Sequence, residues 1–175
     1  SLTSSHKVKV KKTLNNYVEV DNPLDYHTFI WGDRKRTSEC FSAMMSGQFA
    51  ATMLLLDWPK SKESEQKDWD ATLFALSDAL SGTNEKAIVL ASMADCMPKR
   101  IIEECLSLGI APMVGLDVCL KALNHSYKIG RAFSSNSSPD LEVLRNSSEH
   151  KSKQQLTEYQ GKQLLKKYGL TIPMG

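Results

Sequence analysis

Apolar residues fall along this chain in two alternating patterns. Short continuous runs, Ala51–Asp57, Lys86–Ser92 with Ala87–Ala91 at its centre, and Ile110–Leu116 broken by Pro112, are bounded by turn residues and read as strands covered on both faces. Between them, apolar residues recur at helical spacing. Asp33 caps a helix with Cys40, Phe41, Met44 and Met45 inward and Gly47 at its end; Asp68 caps one carrying Trp69, Leu73, Leu76 and Leu80 before Gly82. Pro98 opens a third, with Ile101, Ile102, Cys105 and Leu106 inward and Gly109 closing it, and Asp117 caps a fourth through Leu120, Leu123 and Tyr127. Tyr17, Val18 and Val20 supply a further short strand that the Asn22-Pro23 step ends. Before it the pattern is open: His6–Val10 alternates as a strand does, while Val8, Val10 and Leu14 also fit one side of a short helix. Strand and helix thus alternate four times, which predicts an α/β fold: three layers, a mainly parallel sheet, right-handed crossovers and helices on both faces.

Beyond this domain, residues 1–133, the pattern fades. Residues 134–155 are rich in Ser, Asn, Lys and Glu and read as a linker. Periodicity returns in residues 156–175, where Thr157 and Gln160 form a capping box, Leu164, Leu165 and Tyr168 give an apolar edge, and Gly169 and Pro173 end a terminal helix.

Composition narrows the function classes. With 41% apolar residues the chain can bury a core, and its net charge of +2 is spread rather than clustered, so no nucleic-acid partner is expected. The run Lys7–Lys12 reads as a solvated face. Cys40, Cys96, Cys105 and Cys119 lack zinc spacing and read as small buried thiols in a reducing, cytoplasmic setting. No apolar run reaches the length of a membrane span, so no membrane partner is expected. No metal-ligating residues are picked out.

The chemistry-bearing stretch is YVEVDNPLDYHTFIWGD, Tyr17–Asp33. Its loop lies where open α/β sheets bind ligands, beyond the carboxyl end of a strand and beside the amides of a helix N-terminus. The candidate site residues are Asn22, Asp25, Tyr26, His27, Thr28, Trp31 and Gly32. Of these, His27 is the tempting phosphoryl carrier, set against the reading of an ordinary hydrogen-bonding loop histidine, and Tyr26, Phe29 and Trp31 either stack on a ligand or anchor the loop on the core.

The segment NPLDYHTFIWGD resembles the nucleoside-diphosphate-forming acyl-CoA synthetases, relatives of succinyl-CoA synthetase, and LTEYQGKQLLKKYGLTIP resembles the opening of the ATP-grasp domain in the same family. Residues 2–173 follow the family pattern, from the second half of a flavodoxin-like, succinyl-CoA synthetase-like domain into the first ATP-grasp helix. The resemblance implies an enzyme that joins a carboxylic acid to CoA with ATP through acyl-phosphate and phosphohistidine steps. It also implies that CoA, ATP and Mg are bound mainly by other domains of the same synthetase, where the carrier histidine resides. No catalytic residue is therefore assigned here, His27 included, and a piece of this extent is expected to be inactive alone. Asn22 and Asp25 match the motif and shape the loop, and Tyr26–Gly32 line a phosphate-facing mouth. The aromatic residues after Asp25 depart from the Gly-rich loops of succinyl-CoA synthetases, which suits a role in shaping access.

The family pattern has a strand and Gly-rich turn before the segment starting near Leu2. Without them a neighbouring strand would be left unpaired, so the isolated chain is expected to be poorly stable or to associate, for instance as a homo-oligomer. Two other readings compete. One is a receiver-like signalling module with Asp57 as phosphoacceptor; the other is a non-catalytic interaction domain. Neither GxGxxG nor Walker A follows any strand.

Overall fold

A computed structural model describes residues 2–47, 49–134 and 155–173, with the side chains of His27, Thr28 and Ser64 outside the description. The chain divides into two compact units, Ser1–Ser134 and Ser135–Gly175. In the second unit the described residues hold one helix, Glu158–Lys167, with Thr157 and Gln160 forming the expected capping box. The residues read as a linker lie almost wholly outside the described ones.

The first unit is α/β. Three parallel strands, β1 (Thr52–Leu55), β2 (Ala87–Ala91) and β3 (Ala111–Val114), pair in the order β1-β2-β3. Around them run α1 (Ser4–Lys11), α2 (His27–Ile30), α3 (Arg34–Met45), α4 (Lys67–Leu80), α5 (Lys99–Ser107) and α6 (Leu116–Ser134); the helix of the second unit is α7. Side-chain alternation along the strands splits the sheet into two packed faces. Leu54, Val89 and Ala91 face a core built from Leu73 and Leu76 of α4 and Ile101 and Cys105 of α5, while Ile88 and Leu90 pack with Cys119 of α6. A separate cluster joins α1 to α3 through Leu2, Val10, Leu14, Ile30, Cys40 and Ala43.

β2 is buried along its whole length, as its uninterrupted apolar run predicts. β1 is not: Leu54 is buried and Leu55 is 58% exposed. Pro112 is tolerated because β3 is an edge. Gly115 N–H donates to Ala91 C=O at 2.9 Å, so residues of odd number face β2 and the donor that Pro112 lacks would point outward.

Several expected details are corrected. Tyr17–Val20 forms no strand: Val18 N–H turns back to Asn15 C=O at 3.1 Å, and the Lys11 ammonium donates to the carbonyls of Asn15, Asn16 and Val18. Burial of Val18 and Val20 in the second cluster does the work that ladder pairing was expected to do, and three strand–helix repeats remain where four were expected. Lys11 is consequently a clamp rather than part of a solvated face. Asp68 and Asp117 lie in the first turns of α4 and α6 instead of capping them, because each helix begins two residues earlier than expected. Pro98 stands at the N-cap of α5. Leu106 is 63% exposed, pointing away from the face that carries Ile101 and Cys105. Leu120 and Tyr127 of α6 are also exposed.

Other readings hold. Asp33 caps α3 by accepting from Arg36 N–H at 3.0 Å. Gly109, at φ 70°, ends α5 with paired bonds from Gly109 N–H to Leu106 C=O (3.1 Å) and from Ile110 N–H to Cys105 C=O (2.8 Å). Cys40, Cys105 and Cys119 are buried free thiols and Cys96 is half-buried. Burial pushes the Cys40 thiol up, and pushes Cys105 up to about 11. Among the described residues no helix is long and apolar enough to cross a membrane.

Candidate functional site

The loop between Val20 and α3 forms one wall of a cleft of about 770 Å³. Its opposite wall runs from Ala51 through Asp57, with β1 at its centre, and apolar side chains of α3 and α4 also line it. Asn22, Asp25, Tyr26 and Trp31 therefore meet at one cavity, although the strand whose end they were expected to follow is not formed.

Tyr26 and Trp31 are positioned by specific ring contacts. The Asn22–Pro23 peptide is cis, and Asn22 and Asp25 are exposed at the mouth. Tyr26 sets its ring edge-on to Phe41, with centroids 4.9 Å apart at 75°, and bridges the sheet core and the second cluster. Burial, reinforced by Cys40 and Asp25, pushes its phenol well above the usual tyrosine range. Trp31 meets Trp69 of α4 edge to face, centroids 5.2 Å apart at 86°. Both rings anchor the loop while lining the cleft.

Gly32, at φ 80°, follows Trp31 where a Cβ would stand 3.2 Å from Asp68 Oδ1. The positive φ disfavours any other residue, and the exposed Asp68 side chain would have to yield a few tenths of an ångström to a Cβ. His27 and Thr28 open the short α2, and their side chains lie outside the described residues. Phe29 is 43% exposed and lies 6.3 Å, ring to ring, from Tyr17.

The rim leads into α3, whose first turn holds Arg34, Lys35 and Arg36 and no acidic residue. This reverses the usual preference, since the partial positive charge of a helix N-terminus favours anions there. Asp33 satisfies one amide, and Arg34 Nε and Nη2 form a bidentate pair with Asp78 at 2.6 and 2.7 Å. That pairing raises the Arg34 guanidinium and lowers the Asp78 carboxyl. Lys35 and Arg36 are exposed and form no ion pair among the described residues. An anion arriving at this turn would find two cations and a helix dipole already favouring it.

At the carboxyl end of the sheet, Asp57 is latched across the strands: its carboxylate accepts from Ser92 N–H and from Ser92 Oγ, each at 2.7 Å. Nearby, a network that sequence reasoning missed holds the loop after β1. Arg100 donates to both oxygens of Asp70 at 3.0 and 3.1 Å and to Gln66, and Trp58 Nε1 donates to Asp70 at 2.9 Å. Gln66 in turn donates to the carbonyls of Pro59 and Ser61. These partners are far apart in sequence and no local pattern announces them. Among the described residues no group of three or more His, Cys, Asp or Glu side chains could hold a metal ion.

Compared with models of protein families, with curated proteins and with solved structures, the chain has no match.

Proposed function

We propose that this chain is the flavodoxin-like part of a nucleoside-diphosphate-forming acyl-CoA synthetase. In this reading the NPLD rim shapes access to the reacting centre, and the first turn of α3 faces the phosphoryl group in transit. The observation that carries it is the cationic turn Arg34-Lys35-Arg36, set at the end of the rim where helix preference alone would place acids.

The residues present fit an anion at that turn through Lys35, Arg36 and the first-turn amides. They do not fit the nucleotide, magnesium or CoA, which this reading leaves to other domains of the enzyme. The chain's own contribution is then positional. Tyr26 and Trp31 hold the rim against the core, Gly32 lets it pass Asp68, and Lys35 and Arg36 favour negative charge at the exit. In the competing phosphoacceptor reading Asp57 would carry the phosphoryl group at the position where it now accepts from Ser92 N–H and Oγ.

Incubating the protein that carries this chain with CoA, ATP and a panel of carboxylic acids tests the reading. One acyl-CoA, one ADP and one phosphate should appear together. Products of AMP and pyrophosphate, or no acyl-CoA with any acid, would overturn it.

A further inference from the structure

We draw no further inference here: the strongest candidate, the apolar surface patch of exposed Tyr127, Ile129 and Phe133 on the carboxyl half of α6, carries nothing because no feature of the described residues shows what covers it.

Discussion

Gly47 and His6 show how tightly single residues are specified. The His6 ring is buried, with Nε2 2.9 Å from Ala43 C=O, and a Cβ on Gly47 would stand 2.4 Å from His6 Cε1. Gly47→Ala should destabilise the fold by about 1–3 kcal/mol in urea unfolding, and adding His6→Ala should make the second change cost less than it does alone. Arg100 and Asp70 offer a second measurement. Both are partly buried, and Arg100→Ala or Asp70→Ala leaves a polar partner short of a bond, so each should cost about 1 kcal/mol, with the double variant less than additive. Additive costs would show that the pair does not couple. Cys105 brings a pH dependence. Its thiol is lifted from 9.0 to about 11 in the folded chain, so between those values the unfolded chain holds fewer protons and stability must fall as pH rises. The slope from this residue should not exceed about 1.4 kcal/mol per pH unit and should vanish in Cys105→Ala.

At the scale of elements, legibility followed how local the cause was. β2 is bounded as its apolar run indicates, and the Asp33 cap and the Gly109 ending of α5 are set by residues within a turn of the feature. Gly109→Ala should therefore cost about 1 kcal/mol through its positive φ alone, since nothing lies within 4 Å of the added methyl. A loss near zero would mean the α5 ending relaxes. Tyr17–Val20 misled because β-branched residues are equally at home in a buried turn, and the Lys11 clamp and second cluster that decide the matter come from other segments. Leu106 misled because one exposed apolar residue is indistinguishable by spacing from its buried neighbour. The rim residues were legible as a group, but the cleft was not. Its walls come from 22–31, from α3, from β1 and from α4, and only folding brings them together.

For the whole molecule, the parallel sheet fixes where chemistry and association can occur. The rim lies across a cleft from β1 and ends in a cationic helix turn. The central functional claim, that the α3 turn meets a phosphoryl group, is tested most directly by comparing ATP-dependent acyl-CoA formation in the wild type and in the Lys35→Ala/Arg36→Ala double variant, with folding checked by circular dichroism. The claim predicts that kcat falls by about tenfold or more while the variant stays folded, as the loss of two cations beside a transferring anion requires. An unchanged kcat in an active, folded variant would contradict it.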